Sequence, residues 1–98
     1  MSKIDVHELS SKICDFMDDY DPYEFRDNYN SKEEAINDIE NHLSDAFQTR
    51  QYIYCLNEIS KDLKDDNDLQ VLGLFERSKD ILKDLREYQK NFDKDIEL

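Results

Sequence analysis

Glycine and proline are nearly absent from this chain: Gly73 and Pro22 are the only examples in 98 residues. Tight hairpin turns need backbone angles that glycine or asparagine supplies most easily. A sheet protein of many short strands is therefore a poor fit. A chain of this length holds one domain, taken as 1–98, and the scarcity of helix breakers favours helices throughout it.

Apolar residues recur at steps of three and four, the helical period. The first helix is expected to open at Asp5, with Glu8 three residues on as an acidic capping box. Val6, Leu9, Ile13, Phe16, Met17 and Tyr20 form its stripe, which ends at Pro22. Asp21 can cap a fresh start, and Pro22 suits a first helical position. Residues 22–29 therefore read as a short helix or helical turn carrying Tyr23, Phe25 and Tyr29. Ser31-Lys32-Glu33-Glu34 is the clearest capping box, and Ala35, Ile36, Ile39, Leu43, Ala46 and Phe47 follow it. Gln48-Thr49-Arg50 interrupts the pattern, and Thr49 is a candidate cap for the next helix. One long kinked helix over 32–64 is the alternative. Tyr52, Ile53, Leu56, Ile59 and Leu63 make the third stripe. Asp65–Asp68 is a polar break, and a last helix runs from Leu69 through Leu72, Phe75, Ile81, Leu82, Leu85, Tyr88 and Phe92. Close helix packing is one reason for Gly73 inside it. The expected fold is all-α: a small antiparallel bundle of about four helices with a short extra helical turn.

Phe16, Phe47, Phe75 and Phe92 read as core, and Tyr52, Tyr54 and Tyr88 as core rim. Tyr20, Tyr23 and Tyr29 lie among carboxylates and suit either core or interface. Cys14 and Cys55 sit in apolar stretches and read as reduced, buried thiols.

Charge narrows the function. The net charge is −12 and the isoelectric point about 4.4, which argues against direct capture of nucleic acid or an anionic membrane. No apolar run is long enough to span a bilayer, and the start lacks the apolar core of a signal peptide. A cytoplasmic location is expected. Residues 1–68 carry 18 acids and 7 bases, a net of −11, whereas 69–98 carry 7 acids and 6 bases. The densest window holds Asp15, Asp18, Asp19, Asp21, Glu24 and Asp27 against Arg26 alone, with Tyr20 and Tyr23 interleaved. Glu33, Glu34, Asp38, Glu40 and Asp45 follow, with only Lys32 beside them.

Such runs are ordinarily solvated faces that keep a small domain soluble. An AT-rich genome also inflates Asp, but it raises Lys as well, and Lys does not keep pace here. The second reading is a binding surface. Carboxylates three or four apart on a helix lie about 5–6 Å apart at Cβ, a spacing of the same order as phosphates along a DNA strand.

Catalytic and metal chemistry find no starting point. The chain lacks a Gly-rich phosphate loop and a nucleophile elbow. His7, His42, Cys14 and Cys55 show no zinc spacing. An EF-hand read from Asp66 places Val71 where glycine belongs and Arg77 where the bidentate Glu belongs. No enzyme, metal or cofactor is expected.

Asp15–Asp27 and Glu33–Asp45, together with the size of the chain and the missing catalytic motifs, resemble small acidic helical inhibitors from phages and mobile elements, the anti-CRISPR and antirestriction proteins. That resemblance implies a monomer or homodimer that occupies the nucleic-acid-binding cleft of a basic protein, such as a nuclease. On this reading Asp15, Asp18, Asp19, Asp21, Glu24, Asp27, Glu33, Glu34 and Asp38 supply charge, with Tyr20 and Tyr23 as anchors. The alternative is an intracellular adaptor or immunity-type protein that binds its partner through an apolar helical groove. Self-association through the last helix is a third possibility.

Overall fold

The fold is described from a computed structural model covering residues 4–65 and 69–96, with side chains at 4–65 and 71–90. It is all-helical: α1 (Val6–Tyr20), α2 (Pro22–Asn28), α3 (Lys32–Leu43), α4 (Ala46–Lys64) and α5 (Leu69–Ile96). No strand occurs among the described residues.

Short polar side chains start the helices. Asp5 caps α1 by accepting the His7 N–H at 2.9 Å. Asp21 closes one helix and opens another. Its N–H donates to the Met17 carbonyl at the end of α1, and its carboxylate accepts the Glu24 N–H at 3.3 Å. Pro22 then occupies the first turn of α2, where a missing N–H costs nothing. Ser31 caps α3 by accepting the Glu34 N–H at 3.2 Å.

The break between α3 and α4 lies earlier than the sequence pattern placed it. It falls at Ser44 and Asp45, and Asp45 is the cap, accepting the Gln48 N–H at 3.0 Å. Thr49 is a fully buried helix residue instead. Its single hydroxyl proton points back to the corner, shared between Asp45 O at 2.9 Å and Leu43 O at 3.3 Å. A threonine near a helix start can serve as cap or as back-bonding donor, so its presence alone does not locate the boundary. Residues 66–68 of the expected polar break, and the side chain of Phe92, lie outside the described residues.

Helix α1 is the centre of the packing. It contacts α2, α3 and α5, while α4 packs on α5 and α3. The core takes Leu9, Ile13, Cys14 and Phe16 from α1, Ala35, Ile39 and Leu43 from α3, Leu56 and Leu63 from α4, and Ile81, Leu82 and Leu85 from α5. Cross-helix pairs give the register. His7 meets Glu40 while Asp15 meets Lys32, and Lys12 meets Asp84 while Asp19 meets Arg77. Between α4 and α5 the buried Ser60 and Ser78 hydroxyls lie 2.6 Å apart. Ser78 donates its one proton to the Phe75 carbonyl, so Ser60 donates to Ser78.

Besides Leu72 of the α5 stripe, which is 50 % exposed, three expected interior residues of α4 stand outside. Phe47 is 63 % exposed, Tyr54 is 65 % exposed, and Cys55 is exposed while Cys14 is buried. Their helix carries more apolar residues than its neighbours can cover. Helix α2 is only seven residues long, packs on α1, and its backbone does not come close to that of α4.

Candidate partner-binding surface

The acidic window divides its carboxylates among structural tasks. Asp15 pairs with Lys32 of α3. Asp19 pairs with Arg77 of α5 at 2.7 Å. Asp18 faces Arg26 at 3.7 Å, beyond hydrogen-bond range, and its Oδ1 is buried without a hydrogen-bond partner. Asp21 is spent as the cap of α2. Asp38 accepts the Tyr29 hydroxyl at 2.6 Å and lies 3.7 Å from His42 Nε2. Glu24, Asp27, Glu33 and Glu34 are exposed and have no ion pair among the described residues.

The two proposed anchors separate. Tyr20 is half-buried and stacks on Phe16, with centroids 5.9 Å apart and planes 7° from parallel. It belongs to the edge of the core. Tyr23 is 85 % exposed, between Asp21 and the free Glu24. Tyr29 joins the interior through Asp38 and Phe25.

A second feature is not apparent from the charge pattern. A half-open groove of about 630 Å³ lies between α2 and α4, floored by Ile13, Ile39 and Leu56. One wall is the α2 edge, with Asp21, Glu24, Phe25 and Asn28 at helical spacing. The other is a stripe along α4, where Phe47, Gln51, Cys55 and Ile59 follow at steps of four.

A polar row braces the end of the groove. Tyr29, His42 and Tyr52 all line it. Tyr29 is tied to Asp38, Asp38 neighbours His42, and His42 Nδ1 lies 2.8 Å from the Tyr52 hydroxyl. Burial pushes the Tyr52 phenol up to about 12, with the Asp38 charge adding to the shift. Burial also raises the Tyr29 phenol, and its hydrogen bond to Asp38 reinforces the effect. Both therefore stay protonated at neutral pH, as hydrogen-bonding groups rather than nucleophiles. The row holds α3, α4 and the segment after α2 in fixed relation around an apolar trough.

Among the described residues, no group of three or more His, Cys, Asp or Glu is placed to hold a metal ion. None of the described helices is long and apolar enough to cross a membrane. No protein-family model, curated protein or solved structure matches the chain.

The sequence pattern does not reveal the groove residues Phe47, Cys55 and His42 as a site. An apolar residue at helical spacing looks the same whether its face is covered or bare. One usable signal was the brevity of the 22–29 segment beside the long apolar stripe of α4. The Asp38–His42 spacing, four residues on a helix, was another.

Proposed function

We propose that this chain is a non-enzymatic binding protein that engages a basic protein partner through the acidic surface of its N-terminal two thirds. In this reading it acts as a single domain, an antiparallel helical bundle, that takes the place of nucleic acid on a nuclease or other nucleic-acid-handling protein. The observation that carries the reading is Tyr23, exposed beside Glu24, which has no ion pair among the described residues, in a segment of net charge −11. Tyrosine gives an interface both buried area and a polar tip. A single-sign field around it accelerates encounter with a cationic partner. Glu24, Asp27, Glu33 and Glu34 supply the free charge. Asp15, Asp18 and Asp19 add to the field, although cations of the same chain stand beside them.

The test is a pull-down from source-cell lysate at low and high salt, followed by competition of the captured protein between this chain and duplex DNA. The expected result is a nucleic-acid-binding partner that is lost as salt rises and competed by DNA. A combined Glu24→Gln, Asp27→Asn, Glu33→Gln, Glu34→Gln variant should weaken capture while keeping its helical circular dichroism. Undiminished capture by that folded variant removes this surface from the account. The adaptor reading is favoured by a separate observation, the apolar groove between α2 and α4.

A further inference from the structure

We infer that the groove between α2 and α4 is a docking site for an amphipathic, cationic helix of a partner protein. The inference rests on the reading of this chain as a binding protein, and it names the segment that is bound.

The apolar content of the groove comes first. Phe47 is exposed on its α4 wall, and Cys55 and Ile59 continue the stripe above a floor of core residues. From Phe47 to Ile59 the stripe runs about 18 Å, at 1.5 Å rise per residue. That length matches about three turns of a docked helix, whose anchors fall at i, i+3 or i+4, and i+7.

Charge selects the occupant. Asp21 and Glu24 line the α2 wall, and among the described residues no Lys or Arg lines the groove. A helix with an apolar face and flanking Lys or Arg buries the first in the trough and sets the second against the α2 carboxylates. A second copy of this chain is disfavoured because each copy carries −12. Its α5 has also committed Ile81, Leu82 and Leu85 to the core.

The experiment titrates the full chain with three synthetic peptides of about four turns. The first has Leu at i, i+3, i+4 and i+7 with Lys elsewhere. The second keeps that apolar face with Glu in place of Lys. The third has the composition of the first, rearranged so that no apolar face forms. Saturable binding of the first on the order of micromolar is expected, with the other two weaker by about tenfold or more. Phe47→Ala should weaken the first peptide by about tenfold. Because Phe47 is exposed, its truncation leaves the core intact. Gln51→Lys, which puts a cation in the groove, should weaken it as well.

Failure of the first peptide to bind overturns the inference. Equal binding of the Lys and Glu peptides overturns the cationic occupant. Equal binding of the first and third peptides, untouched by Phe47→Ala, shows attraction by charge alone; it ends the groove proposal and leaves the acidic-surface reading standing. A concentration-dependent dimer in sedimentation that Phe47→Ala dissolves replaces the partner helix with a second copy.

Discussion

Gly73 lies exposed on α5, and a Cβ built there meets nothing within 4 Å. Close packing therefore does not account for it, contrary to the sequence expectation. Its backbone is helical, so it contributes only the entropic cost of glycine. Gly73→Ala should stabilise the chain by about 0.8–1 kcal/mol, raising the thermal midpoint by several degrees in a melt followed by circular dichroism. An unchanged or lower midpoint contradicts this. His7 offers a different single-residue test. Its Nδ1 lies 2.6 Å from Glu40 Oε1, and that hydrogen bond, with the Glu40 charge, raises the imidazole above its ordinary 6.5. The folded state thus holds the proton more tightly than the unfolded one. The resulting stabilisation is fully present below pH 6.5 and is lost as pH rises through the higher folded value. Glu40→Gln should return the His7 titration toward its ordinary value in an NMR pH series and should reduce this pH dependence of stability.

The corner between α3 and α4 shows how one helix end is held. Helix α3 stops at Leu43, which leaves its carbonyl without an intrahelical partner. That oxygen accepts the Tyr88 hydroxyl of α5 at 2.8 Å and lies 3.3 Å from the Thr49 hydroxyl of α4. Three helices thus meet at one acceptor, and Asp45 caps the helix that leaves it. Asp45→Ala should cost about 1 kcal/mol. Thr49→Val should cost about the same, because it removes a buried donor from two carbonyls. Urea midpoints of the two single variants and the double variant would measure both effects. The double variant should depart from additivity, since the residues share one network. A midpoint unchanged by either substitution would place the corner's stability elsewhere. The helices themselves were largely legible in the sequence, because caps such as Asp21 and Ser31 act within three residues of their own position. The break at Ser44–Asp45 was less so. The residue pair at the corner matters for what α5 brings to it from 45 residues away.

Charge acts across the whole chain. A net of −12 on a structure with a radius of gyration of 13.9 Å stores self-repulsion that salt screens. Raising sodium chloride from low to physiological strength should therefore raise the thermal midpoint, even though the same salt weakens exposed pairs such as Asp19–Arg77. Those pairs each contribute at most about 1 kcal/mol. A midpoint that falls with salt would mean that the pairs outweigh the net field. The same field bears on binding. Salt should weaken association through Tyr23 and its carboxylates more than association through the groove, where apolar contact dominates.

Helix content, most of the core stripe and the acidic bias toward the first 68 residues are local or summed properties, and they can be read along the chain. Periodicity counts neighbours three and four residues away, and charge simply adds. Which carboxylates keep their charge free, and which apolar face lies bare, depends on contacts between distant residues. Asp19 is neutralised by an arginine 58 residues later. Phe47 lies open because a seven-residue helix packs on α1 and leaves α4 uncovered. A linear pattern shows that a face is apolar; only the packing of one helix against another shows whether that face has been used.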